Sequence, residues 1–226
     1  MTADPLVLNA ELERADARLR ATLRTLEEAD LTAPSLCPGW TRGHVLTHLA
    51  RNADAYVNLL TWARTGVRTP AYPSPAARDA AIEAGATRPL TEQLKDLANA
   101  TDALAAAIDA TPAEAWSATV ALPSGTEIPA ARVVWSRICE VELHHVDLAA
   151  GYAPADWPPA FTRRLLHDPA TPHVATLTDE DGSVLLSVPS ATPTVSGPPH
   201  LLAAWLTGRG DGTGLTGDLP SLEAWK

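Results

Sequence analysis

Residues 137–152, RICEVELHHVDLAAGY, place two glutamates, two adjacent histidines and an aspartate inside an otherwise apolar stretch. Such groups are costly to desolvate unless they are paired or bind a metal, so this segment cannot behave as a plain core helix. At about 100° per residue, Glu140, His144 and Asp147 fall within one narrow stripe. Glu142 and His145 lie on roughly the opposite side, and Val134, Ile138, Val141, Leu143, Val146 and Leu148 cover the rest. The spacing predicts a buried helix with one concentrated polar stripe. Glu142 and His145 are expected to make surface or inter-domain hydrogen bonds, outside any catalytic role.

Four long helical stretches and one short one precede residue 150. The first, about 6 to 30, carries Leu8, Leu12, Leu19, Leu23 and Leu26 at helical spacings. LCPGWT reads as a turn, with Thr41 as N-cap of a second helix running to about Arg64. TPAYPSPAA is a proline-rich loop leading to a short helix at about 76 to 85. A third long helix spans about Thr91 to Asp109, with Leu94, Leu97, Leu104 and Ile108 on its apolar side. PSGTEIPA reads as a loop before the charged helix, which begins near Ala130. This is the content of a four-helix bundle.

After Gly151 proline becomes frequent and the pattern shortens. HVATLTD and SVLLSV read as strands around an EDGS turn, PTVSG as a further strand, and PPHLLAAWLTG as a helix with proline at its start and glycine at its end. The tail, GDGTGLTGDLPSLEAW, reads as irregular. The predicted class is α+β: a bundle over residues 1–152 and a small α+β domain over 160–226.

With 226 residues and 46% hydrophobic content, the chain is large enough to bury real cores. A formal net charge of −10 argues against nucleic acid as a partner, and an anionic ligand would have to be held by specific arginines against that field. Cys37 and Cys139 are too few for a disulfide scaffold. No leader is recognisable and no apolar run approaches the ~20 residues that cross a bilayer. These features predict a cytoplasmic protein without membrane or nucleic-acid partners.

Glu140 and His144, four apart on one helix, can reach a single ion, and HVLTHLARN on the second helix offers His44 and His48 at the same spacing. Facing bundle helices could thus assemble two imidazoles and one carboxylate, leaving zinc's fourth position open. Spacing alone supports equally a Glu140–arginine pair with structurally satisfied histidines. Asp147 is placed either to orient the His144 ring or to cap locally. Cys139 reads as a small buried residue and Cys37 as a turn residue able to contact the site, while Trp40 and Trp135 read as core or pocket walls.

Four segments, PGWTRGHVLTHLA, ARDAAIEAGATRPL, EVELHHVDLAAG and LLAAWLTGRGDG, resemble the mycothiol-dependent maleylpyruvate isomerase family, in the same order and over nearly the whole chain. The resemblance implies a DinB-like four-helix bundle with a small C-terminal α/β domain. It implies zinc, or another divalent metal, held by His48, Glu140 and His144, with His44 an alternative second-helix ligand. Its two functionally important arginines correspond to Arg78, opening RDAAIEAG, and Arg209 of LTGRG.

The implied cofactor is mycothiol, a sugar-linked cysteine thiol of actinobacteria. Zinc with two histidines and one glutamate carries a formal charge of +1, which suits a thiolate as fourth ligand. The implied reaction is addition of that thiolate to the activated double bond of a cis-unsaturated diacid. Rotation about the new single bond and elimination of the thiol give the trans isomer. Arginines would hold the carboxylates and the enolate charge. The same apparatus fits an S-transferase that conjugates an electrophilic substrate, and a non-catalytic ligand-binding bundle is the third reading.

Overall fold

A computed structural model describes residues 4–188 and 193–222, without the side chain of Leu6. The chain divides into two units, Met1–Ala150 and Gly151–Lys226.

In the first unit the apolar spacings become helices α1 (Pro5–Leu23), α2 (Arg42–Thr65), α3 (Pro75–Ala86), α4 (Leu90–Asp109) and α5 (Arg132–Asp147). Helix α2 packs against α3, α4 and α5, and α1 packs on α5. Leu8, Leu12, Leu19 and Leu23 of α1, Leu97, Leu104 and Ile108 of α4, and all six apolar positions read around α5 are buried. Each such side chain contributes roughly 1.5–3 kcal/mol. The bundle and the α+β class are as the sequence predicts.

The helix ends explain how the chain turns. Gly66, at φ 71°, closes α2 by donating its N–H to Trp62 O. Ser74 Oγ accepts from Ala77 N and Pro75 opens α3. The C-terminal carbonyls of α5 find donors on α2: Arg42 Nε reaches Leu148 O and Nη2 reaches Ala149 O, both at 2.7 Å. Unsatisfied carbonyls and the negative end of the helix dipole favour a guanidinium there. The start of α2 is thereby pinned to the end of α5.

Further along, Arg137, with no exposed surface, donates through Nη1 to Leu49 O and Asn52 Oδ1, each at 2.8 Å. Two glycines bring α3 close to α2. A Cβ on Gly43 would meet Ala86 O at 2.3 Å, and one on Gly85 would meet Thr47 Cγ2 at 2.3 Å.

Several expectations change. The first helix stops at Leu23 rather than near residue 30, because Asp30 Oδ2 accepts from Glu27 N at 2.8 Å and starts a separate 3-10 turn over Glu28–Thr32. PSGTEIPA is not all loop: β1 (Thr119–Ala121) and β2 (Glu127–Pro129) form an antiparallel hairpin that buries Val120 and Ile128. Each strand buries one central residue, too short a pattern to read as alternation. Glu142 and His145 are not surface groups. Both are 1% exposed and face α1, where Glu142 pairs with Arg18 and His145 Nε2 lies 2.7 Å from Thr22 Oγ1. Cys139 is only partly buried.

The second unit contains α6 (Pro159–Leu166), which the sequence reading leaves unassigned, β3 (Thr176–Thr178), β4 (Val184–Leu186), β5 (Thr194–Ser196), α7 (Pro199–Leu206) and β6 (Thr216–Gly217). The sheet order is β4-β3-β5-β6, with β3 and β5 parallel and the outer pairs antiparallel. The tail therefore contributes a strand where irregular chain is expected; its last residues, 223–226, lie outside the described ones. Leu177, Val195, Phe161, Leu165 and Leu202 form the core of this unit. No helix among the described residues is long and apolar enough to cross a membrane.

Candidate metal centre

The pinned ends of α2 and α5 bring their polar positions face to face. His48 Nε2 lies 2.9 Å from Glu140 Oε2, and His144 Nε2 lies 3.4 Å from the same oxygen. One ligand atom from each of His48, Glu140 and His144 lies within 4.8 Å of the others, a set that fits a divalent ion. Two imidazoles and one carboxylate suit zinc and leave a coordination position for an exogenous ligand. Glu140 keeps 28% of its side-chain surface exposed, so the cluster opens outward.

Electrostatics hold the three groups in complementary states. Burial lowers the pKa of His48 below its ordinary value of 6.5, and neighbouring His144 and Arg78 act in the same sense. Desolvation would raise Glu140, but hydrogen bonds from His144 and His48 override it and hold the carboxyl well below 4.5. Desolvation would lower His144, yet its bonds to Asp147, Cys37 and Glu140 leave it well above 6.5. Glu140 Oε2 thus gathers two ring N–H groups where an ion would sit.

Around this cluster lies a ring of supporting side chains. Asp147 Oδ2 is 2.8 Å from His144 Nδ1, the orienting alternative of the sequence reading. Cys37 Sγ donates to the same Asp147 oxygen at 3.3 Å, as a turn residue touching the site. The Cys37 turn is built: Ser35 Oγ accepts from Cys37 N, Trp40 N returns to Cys37 O at 3.0 Å, Gly39 takes φ 79°, and Leu36 N donates to Asp147 O. It delivers Trp40, whose ring centroid is 5.4 Å from that of His48. Trp135, by contrast, is buried in the core.

His44 is occupied elsewhere. Its Nδ1 accepts from Thr41 N at 3.1 Å, at the start of α2, and its Nε2 lies 3.3 Å from Glu83 Oε2. It caps the helix while His48, one turn on, faces Glu140.

Arg78, on α3, enters the site because α3 lies so close on α2. Its Nη2 donates to His48 Nδ1 at 3.3 Å and its Nη1 to Asp79 Oδ1 at 2.8 Å. The guanidinium carbon lies 5.9 Å from the Trp40 ring and 6.0 Å from that of Tyr72. Tyr72, which sequence reasoning passes over within the proline-rich loop, is set in place where Asn58 Nδ2 holds Ala71 O at 3.2 Å. Its phenol is pushed up to about 12 by burial. Only its aromatic type beside the RDAAIEAG helix could have signalled it. Arg209 stands in the second unit just after α7, with Nη1 donating to Thr207 O at 2.6 Å.

Residues 12–149 match the family model described as mycothiol maleylpyruvate isomerase N-terminal domain. The chain belongs to that family. Two solved structures of the mycothiol-dependent maleylpyruvate isomerase share its fold. One matches at 30% identity with a TM-score of 0.85, and the other, a histidine-to-alanine mutant, at 29% with a TM-score of 0.86. Each comparison covers 98% of this chain and 95% of the other. No curated protein gives a significant match. The maleylpyruvate isomerase family model ends close to the boundary between the two units, whereas the structural match extends across both.

Proposed function

We propose that this chain catalyses cis–trans isomerisation of a maleylpyruvate-like diacid, with zinc held by His48, Glu140 and His144 and with mycothiol as cofactor. One observation carries the reading: a His₂Glu set within 4.8 Å, with an arginine at its edge, in a chain of this family. When bound, metal and thiol together supply an ionised sulfur able to add reversibly to an electron-poor double bond.

The chain's residues do the rest. Asp147 keeps the His144 ring turned with Nε2 inward. Trp40 and Tyr72 flank Arg78 and restrict where its planar fork can point. A guanidinium so held binds a carboxylate in two-point fashion and stabilises charge spread into an enolate. On the family resemblance Arg209 is the second functionally important arginine.

The test is incubation of zinc-loaded protein with mycothiol and maleylpyruvate, followed by mass spectrometry and proton NMR of the products. A trans diacid of unchanged mass supports the reading. A product heavier by the whole thiol makes the enzyme an S-transferase. Turnover without any thiol replaces the mechanism with one based on activated water.

A further inference from the structure

Arg78 reaches the ligand cluster although it cannot itself bind a metal. A guanidinium has only donors, so where Arg78 Nη2 meets His48 Nδ1 at 3.3 Å the ring nitrogen is the acceptor. The proton of the neutral ring then sits on Nε2, which donates to Glu140 Oε2 at 2.9 Å. That is the nitrogen turned toward the ligand cluster, and coordination requires its lone pair. The neutral ring can offer that lone pair only by carrying its proton on Nδ1 instead. Nδ1–H would then point at an N–H of Arg78, and two donors cannot share one contact.

We infer that Arg78 and the metal exclude one another at His48, each through a different ring nitrogen. Without metal, Arg78 holds the ring in the tautomer that cannot ligate. Metal loading shifts the proton to Nδ1 and releases the Nη2 edge of Arg78 for a substrate carboxylate. The ring stays neutral throughout and keeps one proton. Asp79 and the flanking Trp40 and Tyr72 rings retain the freed guanidinium beside the site. His144 is built the opposite way. Its Nδ1 faces the acceptor Asp147, so its Nε2 needs no tautomer shift to face an ion. The carboxylate-binding arginine is thus armed only when the metal is in place. This inference rests on the metal reading proposed above.

The test combines nitrogen-15 NMR of labelled histidines with zinc affinity measured by chelator competition. In the metal-free wild type the His48 proton should reside on Nε2, and zinc should move it to Nδ1. Arg78→Met should lose the Nε2 preference in the metal-free state and bind zinc about tenfold more tightly, the worth of one hydrogen bond from a charged donor. Arg78→Gln, whose amide can also accept from Nδ1–H, should tighten binding too.

If Arg78→Met tightens zinc while the metal-free tautomer stays on Nε2, simple charge repulsion explains the effect and the exclusion is wrong. Unaltered or weaker zinc binding in both variants overturns it as well, leaving the ligand set intact. A wild type that binds no zinc removes both readings.

Discussion

Oδ2 of Asp147 lies 2.8 Å from Nδ1 of His144, three residues earlier on the same helix, and turns the other ring nitrogen toward Glu140. Asp147 is buried, and the Cys37 thiol donates to the same oxygen. Partners of this kind fix ring orientation and raise ligand basicity. Asp147→Ala should weaken zinc binding by roughly 10- to 100-fold while the helical circular dichroism stays unchanged. Full zinc affinity in this variant would assign Asp147 to local helix packing alone.

The ligand set makes a plain analytical prediction. Elemental analysis of the wild type should give about one zinc per chain, as expected of a single three-ligand site. His48→Ala, Glu140→Ala and His144→Ala should each lose most of it. His44→Ala should keep its zinc, since that ring is engaged by Thr41 and Glu83. Zinc lost from His44→Ala but kept by His48→Ala would reverse the assignment on α2.

The metal-free protein should be most stable near neutral pH. His144 is raised above 6.5, so its contribution is complete below that value and is lost as pH rises through the raised pKa. Glu140 is held below 4.5, so its contribution is present above that value and is lost as pH falls through the depressed pKa. His48, lowered by burial, adds to the acid loss because its charged form is disfavoured in the fold below 6.5. Thermal melts across pH should show both limbs, and His144→Gln should remove the alkaline one. Zinc displaces the His144 Nε2 proton, so zinc affinity should climb with pH up to the raised pKa. A pH-independent affinity would show that this proton is not displaced.

Lysine keeps the charge of arginine but not its fork. Arg78→Lys and Arg209→Lys should both retain zinc. Each should lose about ten- to a hundredfold in kcat/KM toward a dicarboxylate, the value of a charge-assisted hydrogen bond at roughly 1.5–3 kcal/mol. Unchanged kinetics in both would point to a neutral substrate or to a site confined to the bundle.

On the far side of α5, Glu142 is buried against Arg18, whose side chain is one-third exposed. Arg18→Ala should destabilise the fold by about 1–3 kcal/mol, because it leaves a buried carboxylate short of a donor. Zinc content should not move. Metal loss without loss of stability in Arg18→Ala would mean that this pair reports to the metal site.

Periodicity was enough for the bundle, because a buried helix must repeat its apolar residues every three to four positions and the chain does so four times before residue 150. It was also enough to put Glu140, His144 and Asp147 on one stripe, since those angles follow from the α-helix itself. The short strands were only partly legible. All six described strands run two or three residues, below the length at which alternation is visible. β1, β2 and β6 went unread, where the EDGS turn and the runs beside it marked β3, β4 and β5.

What a stripe faces is a property of its neighbours, and only the tertiary structure decided it. Glu142 and His145 sit opposite the site in angle and read as surface groups, but α1 packs over them and supplies Arg18 and Thr22. His44 and His48 lie four apart on the same helix, and that spacing does not tell them apart. Thr41 and Glu83 claim the first, and the crossing of α5 brings Glu140 to the second. Arg78 lies thirty residues from His48 in sequence. It meets that ring because Gly43 and Gly85 carry no Cβ and let α3 settle on α2, a distance in space that no local spacing encodes.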